Sequence, residues 1–493
     1  MRCLSARRQA DGEVGLHEGL RLRSRKAGLA RRRPARRVGR VIPSGKTGKA
    51  LGVADYVEFA SRRNASGGVF LQGYRELVES VIDLVNQRPE YTEAGILHRL
   101  SEPDRVISFR VVWADDDNRL HVNRGYRVQH SNAIGPYKGG LRFSDCVEQE
   151  ILGRLAFEQT FKNALTGLPM GGAKGGADFV PKGRSEAEIM RFCQAFVTEL
   201  YREIGPKRDI PAGDIGVGER EIGYMFGQYK RLTAHFSGAM TGKGLEFGGS
   251  CLRREATGFG VIHFLEAMLK HRGEAIDGRT GVISGAGNVA AHAAKRLVQT
   301  GGKAVTLSDS QGFLHVPHGF SEEQIDRIIA RHNDPDFRLS EHTESTGGTW
   351  HAGATPWRVA CDIALPCATQ NEIDAASARA LVDNGCEILV EGANVPLTSV
   401  AREIIRASDI LYGPGKAANI GGVAMSGLEL SQNAARLHWA EEDLAQDLRR
   451  IIEDAHAACI EFGGDQRAPD YALGANRAGF VKVADAMTAF GVV

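Results

Sequence analysis

T-G-V-I-S-G-A-G-N-V-A, residues 280–290, is a short apolar strand that runs into a glycine turn and the start of a helix. Gly285, Gly287 and Ala290 stand in the G-x-G-x-x-A order of a dinucleotide-binding turn, with alanine in third place. Alone, that spacing is weak. Here a strand, Thr280–Ile283, precedes it and helical spacing over 290–298 follows it, which is the context the fingerprint needs. The run 304–307 reads as the next strand and ends at Ser308-Asp309-Ser310, with Asp309 24 residues beyond Gly285. An acid at the tip of the second strand is placed to bond a ribose. Further strands at 362–365, 387–390 and 410–412 alternate with helical stretches. The pattern predicts a doubly wound parallel sheet, with a diphosphate at the N-terminus of its first helix.

That sheet accounts for less than half of 493 residues, and a chain of this length implies at least two cores. The 42% hydrophobic and 25% charged residues are those of an ordinary globular protein. No apolar run approaches the ~18 residues of a membrane span. The 8 cysteines form no C-x-x-C pair and no zinc-like spacing, which points to reduced thiols and away from a structural metal. A net charge of +2 conceals an asymmetry. Residues 1–40 hold 12 Arg and 1 Lys against 3 acids, so they carry +10 and the remainder −8. The basic balance belongs to this leader and implies no nucleic-acid surface on the body.

Residues 1–50 lack a sustained apolar period, and their blocks of like charge repel. No apolar h-region follows the arginines, so a secretory signal is a poor match. An organelle transit peptide fits the arginines better than the acids. A start codon assigned too far upstream is the preferred reading. Ser44-Gly45-Lys46-Thr47 imitates the end of a P-loop, but position 40 is Arg where that motif needs glycine.

Upstream of the sheet, helical spacing from Tyr74 to Val85 ends at Arg88-Pro89. Two β-like runs, 106–113 and 121–128, are joined by Asp115-Asp116-Asp117-Asn118, a hairpin signal. A helix is expected over 147–165, with Gln159 and Lys162 on one face. Two lysines are framed by glycine: Lys138 in G-P-Y-K-G-G, residues 135–140, and Lys174 in P-M-G-G-A-K-G-G, residues 169–176. The second reads as a glycine-rich loop, and the first is another glycine-bounded lysine. With Lys162 they make three cations converging on one pocket, suited to a dianionic substrate, and crowding lowers lysine pKa values. Helices are expected over 186–203 and 218–234. Between them Asp214 sits in a turn-forming run, where it either caps the next helix or faces Lys174. A glycine-dense segment, 241–250, marks the domain boundary. Two long helical patterns, 416–437 and 441–462, close the chain, with Ser426 in the first.

The chain resembles the glutamate dehydrogenases of the shorter hexameric, mostly NADP-dependent kind. The resemblance rests on F-R-V-V-W, A-I-G-P-Y-K-G-G, F-E-Q-T-F-K-N-A-L, L-P-M-G-G-A-K-G-G, P-A-G-D-I-G-V-G, E-A-T-G, A-L-P-C-A-T-Q-N-E, E-G-A-N and G-K-A-A-N-I-G-G-V-A. These motifs spread over nearly all of 55–493. The resemblance implies an α/β protein of two domains. An α/β substrate and oligomerisation domain would span 51–250 plus 425–493, and a Rossmann-like dinucleotide-binding domain 251–424.

It further implies that Lys174 is the catalytic lysine and Asp214 its carboxylate partner. Lys162, Gln159 and the Gly213 backbone would hold the substrate α-carboxylate, and Lys138 and Ser426 the distal one. Thr257, Gly285, Gly287, Asn288, Asp309, Ser310 and Asn394 would contact the cofactor. The implied reaction is reversible oxidative deamination of L-glutamate to 2-oxoglutarate and ammonia, serving ammonium assimilation, in a cytoplasmic homohexamer without a metal. An acid at position 309 ordinarily suggests NAD, yet S-D-S here resembles NADP-using members, so NADP is expected and NAD remains possible. The rival reading is a branched-chain or aromatic amino-acid dehydrogenase of the same fold, against which Lys138 and Ser426 speak.

Overall fold

The computed structural model describes residues 51–64, 68–331, 334 and 337–492. The basic leader and the Ser44–Thr47 run lie outside them. Among the described residues, no helix is long and apolar enough to cross a membrane.

The first sheet opens with the expected hairpin, β1 (Arg105–Ala114) and β2 (Leu120–Ser131), paired antiparallel. Its turn is closed by one carboxylate. Asp115 Oδ1 accepts from the backbone N–H groups of Asp117 and Arg119 at 3.0 and 2.9 Å, while Asn118 takes a left-handed φ of 60°. The helix Gly68–Gln87 ends just before Pro89, as the sequence predicts.

Three further strands complete this sheet: β3 (Tyr137–Phe143), β4 (Gly172–Ala177) and β5 (Asp209–Gly213). The order is β1-β2-β4-β3-β5, with β3 parallel to both β4 and β5. These strands hold the two glycine-framed lysine stretches and the run before Asp214, none of which the sequence presents as a strand. Glycine has little strand propensity of its own, and here its neighbours decide. A Cβ on Gly139 would lie 1.7 Å from the Ala173 carbonyl oxygen, and one on Gly175 2.7 Å from that of Tyr126. The glycines therefore let backbones approach where side chains would hold them apart. The helix Gln149–Leu165 carries the chain from β3 to β4, and Ser185 caps the helix Glu186–Leu200 in a reciprocal box with Glu188.

The second sheet is all parallel: β6 (Thr280–Ile283), β7 (Lys303–Ala304), β11 (Ile363–Leu365), β12 (Ile388–Val390) and β13 (Leu411–Gly413), in the order β13-β12-β11-β6-β7. The expected strand over 304–307 splits. Only β7 joins this sheet, while β8 (Thr306–Asp309) pairs with β9 (Gly312–His315), and β9 with β10 (Thr349–Ala352), in a small antiparallel sheet.

The C-terminal pattern 416–437 is likewise two helices, Gly415–Ala418 and Gly421–Ala435. The break sits where Asn419 turns its side chain to the carbonyls of Gly392 and Ala393. Glu441–Phe462 follows the sequence pattern and packs in the core of the parallel sheet. A final helix, Tyr471–Phe490, has no clear apolar period and was not expected. Asp470 caps it by accepting from Ala472 and Leu473 N–H, both at 2.9 Å. Its small residues explain its register. Gly474 lies against the Cys459 carbonyl and Gly479 against that of Phe161, so this helix bridges the two cores.

Candidate active site

The centre of the site is a strand and not a loop. Every residue of β4 is buried, and Lys174 keeps only 7% of its surface exposed. Two strands away, β5 ends at Gly213 and delivers Asp214, whose backbone pairs with Val217 instead of extending the sheet. The gap between them belongs to β3. A Cβ on Gly140 would meet Asp214 Cβ at 2.8 Å and Lys174 Nζ at 3.4 Å, so the missing side chain is the channel through which the lysine reaches. Lys174 Nζ stands 3.0 Å from Asp214 Oδ1. Of the two roles open to Asp214 in the sequence, helix cap or partner to Lys174, the geometry has the second. Gly218 occupies the cap position of the helix Glu219–Thr233.

Asp214 has a second cation. Arg142, on β3, donates from Nε to Oδ2 at 2.8 Å. Burial would raise this carboxyl, but Lys174 and then Arg142 outweigh it and hold Asp214 down at about 2. The other two lysines also fall below their usual range, which for a lysine disfavours the charged form. Lys138, on β3 and only 2% exposed, falls to about 7 through burial; Glu429 opposes the fall, and Arg253 and Arg127 add to it. Lys162 falls to about 8 through burial and then through Lys174. Its Nζ donates to Asn419 Oδ1, and Asn419 Nδ2 reaches Asn394 Oδ1 at 3.2 Å. That chain links the helix of the first sheet to the loop after β12. Gln159 lies on the same helix and donates to Asn163 Oδ1 at 2.6 Å.

Around Lys138 the charges are denser than the sequence suggests. Lys243 Nζ and Glu429 Oε1 form an ion pair at 2.7 Å with both side chains at 0% exposure. Glu429 lies three residues beyond Ser426, which is buried on the same helix. Arg253 adds another cation. Its Nε is shut off from solvent without a hydrogen-bond partner among the described residues. An unpaired guanidinium nitrogen in such a place is a donor waiting for an acceptor. Sequence reading missed Arg253, Arg142, Glu429 and Asn419. The first is one of two adjacent arginines, four residues before Thr257, and no spacing rule singles it out.

Of the residues expected to meet a cofactor, Gly285, Gly287 and Asn288 follow β6 and Asn394 follows β12, at the C-terminal end of the parallel sheet. Gly285 has φ +86°, and its N–H donates to Ser308 Oγ at 2.7 Å. Gly287 caps the twelve-residue helix Asn288–Gln299, and a Cβ added to it would meet nothing within 4 Å. A glycine turn with open space before a helix N-terminus fits a diphosphate. Thr257 lies one residue into the helix Ala256–His271, close to Gly422. Asn288 donates to the Arg254 carbonyl, and Asn394 is exposed. At the tip of β8, Asp309 is engaged by backbone: Oδ1 accepts from Gln311 N–H at 2.7 Å and Oδ2 from Leu339 N–H at 3.4 Å. Ser310 beside it is exposed. Among the described residues no cluster of His, Cys, Asp or Glu could hold a metal ion.

Two family models match the chain: Glutamate/Leucine/Phenylalanine/Valine dehydrogenase over residues 248–491, and the Glu/Leu/Phe/Val dehydrogenase dimerisation domain over 103–231. The chain is 52% identical over 427 residues to the NAD(P)-specific glutamate dehydrogenase of Xylanibacter ruminicola, covering 86% of this chain and 96% of that protein. It is 51% identical over 438 residues to the NADP-specific glutamate dehydrogenase of Salmonella typhimurium, covering 89% and 98%. The solved structure of Plasmodium falciparum glutamate dehydrogenase superposes with a TM-score of 0.87 at 44% identity, covering 90% of this chain and 95% of that one.

Proposed function

The chain belongs to the Glu/Leu/Phe/Val dehydrogenase family, and from that premise we propose that it catalyses reversible oxidative deamination of L-glutamate with NADP(H). The observation that carries this reading is the Lys174–Asp214 pair, flanked by two further buried lysines. Such a set matches an amino acid with a carboxylate at each end.

Lys162, Gln159 and the Gly213 backbone hold the α-carboxylate, and Lys138, Ser426 and Arg253 the distal one. Arg253 joins the set because its buried Nε lacks a partner. NADP⁺, when bound, would supply a hydride acceptor for the substrate Cα, and Thr257, Gly285, Gly287, Asn288, Asp309, Ser310 and Asn394 would hold it. Lys174 steers the water that adds to the resulting iminium carbon and steadies the charge that develops there. Asp214 Oδ1 takes a proton from the substrate ammonium and passes it to solvent, then takes the proton the added water gives up and returns it to the nitrogen as ammonia leaves, and last takes the hydroxyl proton as the carbonyl forms. A carboxylate held at about 2 keeps a proton only briefly, so it serves as a relay and not a store. Closure of the cleft excludes bulk water from these steps.

A branched-chain or aromatic substrate is disfavoured, because an apolar side chain would leave Lys138 and Arg253 buried without an anion. The division into 51–250 plus 425–493 and 251–424 is supported by separate apolar cores, although the helix Glu441–Phe462 packs with the nucleotide-binding unit. A cytoplasmic homohexamer serving ammonium assimilation is the accompanying reading. The exposed Val106, Val112, Leu120 and Val122 on the β1–β2 hairpin support self-association, since they lie within the stretch matched by the dimerisation model.

The test is loss of NADPH absorbance, compared with NADH, on adding 2-oxoglutarate and ammonium. Turnover is expected with NADPH. No turnover in either direction with either cofactor would overturn the reading.

A further inference from the structure

Asp214 is gripped at both oxygens by different kinds of cation. Lys174 reaches Oδ1 across the Gly140 gap, while Arg142 takes Oδ2 from the end of β3. The two grips are not equivalent. A lysine sits on a flexible stem and gives up a proton, whereas a guanidinium stays charged throughout any catalytic cycle. Arg142 is also held in place. It lies opposite Gly176 in the β3–β4 register, and a Cβ on Gly176 would fall 2.0 Å from the Arg142 carbonyl oxygen. Its side chain is 20% exposed and that of Asp214 18%. The remaining charged groups near Asp214 are Lys162 on the helix Gln149–Leu165, and Arg220 and Glu221 on the helix Glu219–Thr233. Arg220 is occupied with Glu186 and Glu221, so its charge is spent on carboxylates of its own.

We propose that Arg142 is a positioning residue of this centre: it fixes Oδ2 of Asp214 in a permanent charged bond, so that Oδ1 alone faces Lys174 and the reacting nitrogen. The inference rests on the dehydrogenase reading and adds to it a residue that reaches the reaction through Asp214. Without Arg142 the carboxylate turns freely about its Cβ–Cγ bond. Whenever Lys174 hands its hydrogen bonds to substrate or water, Asp214 then has no charged hydrogen bond left to hold it. With Arg142 present, one cation remains whatever Lys174 does.

Arg142→Gln and Arg142→Lys separate this role from mere support of the sheet. In the aminating direction, Arg142→Gln is expected to lower kcat roughly 10–100-fold with KM for 2-oxoglutarate within about threefold of the parent. It is also expected to move the acid limb of the kcat/KM profile up by about one pH unit, the effect of losing one of two adjacent cations. Arg142→Lys restores the limb to its parental position and kcat only in part, because it keeps the charge and loses the fixed planar donor at Nε. A second readout needs no turnover. The infrared carboxyl band of Asp214, identified by its loss in Asp214→Asn, titrates at higher pH in Arg142→Gln than in the parent. An unmoved infrared midpoint, or an unmoved acid limb with only a lower Tm, overturns the role of Arg142. A parent without glutamate turnover whose infrared midpoint still moves overturns the substrate reading and leaves the grip on Asp214 standing.

Discussion

Gly172 and Thr160 touch so closely that a Cβ on the glycine would lie 2.0 Å from the threonine Oγ1 and 2.6 Å from its Cα. This contact seats the helix bearing Gln159 and Lys162 on the strand bearing Lys174. Gly172→Ala must push helix and strand apart, because backbone atoms of Thr160 stand in the way. The expected cost is about 3 kcal/mol, read by denaturant unfolding. A displacement of ~1 Å between Lys162 and Lys174 is also expected to lower kcat roughly 100-fold. Parental kcat in a stable Gly172→Ala protein would contradict this.

Lys138 decides which side chain the cleft accepts. Lys138→Leu is expected to lose roughly 1000-fold in kcat/KM on glutamate, since it removes the buried partner of an anion. Some activity on norleucine or methionine is expected to appear. An unchanged order of preference in steady-state assays would reject the assignment.

Binding of a dicarboxylate is expected to take up protons. Free Lys138 titrates at about 7 and is mostly neutral at pH 8. An anion beside it favours the ammonium form, so a proton enters with the ligand and affinity falls as pH rises above 7. Calorimetry of glutarate binding at pH 8, in buffers of different ionisation enthalpy, should give uptake of between one and two protons per site, the smaller part of it from Lys162, which burial holds at about 8. Lys138→Met should lose most of it. Zero uptake in the parent would exclude a neutral Lys138.

Lys174→Met tests the centre itself. The expected result is a fall in kcat of at least about 1000-fold, with glutarate binding and circular dichroism near the parent. Turnover within tenfold of the parent would refute the role given to Lys174.

Arg127 and Asp209 tie the first sheet together beneath the site. Both side chains are wholly buried, and Arg127 donates from Nε to Asp209 Oδ2 at 2.9 Å and from Nη1 to the Gly139 carbonyl at 3.1 Å. Arg127→Met leaves a buried carboxylate without its cation, at a cost of about 3–5 kcal/mol. The thermal transition should fall by roughly 10 °C. A transition unmoved by the substitution would show that the pair contributes nothing net.

Local chemistry made part of this molecule legible in its sequence. The Asp115–Asn118 turn, the glycine turn after β6 and the helices with a clear apolar stripe all carry their signal within a few residues. The strands that end in or run through glycine carry none. β3, β4 and β5 are strands because other backbones lie beside them, and glycine admits that contact without advertising it. The last helix was hidden for a related reason, since Gly474 and Gly479 pack by being small. Residues that act through distant partners were the hardest to see. Arg142 meets Asp214 72 positions away, and Lys162 meets Asn419 257 positions away. Lys138 and Lys174 were legible because glycine frames them.

One strand carries both Lys138 and Arg142, four residues apart on the same face, hence ~13 Å along the backbone. Between them the bare Gly140 leaves room for a ligand-facing amine. β3 therefore carries two duties on one edge: Lys138 is assigned to the far end of the ligand, while Arg142 serves Asp214 and leaves the ligand alone. A change that bends this strand would disturb selectivity and proton relay together, whereas a side-chain exchange at either end would disturb one of them.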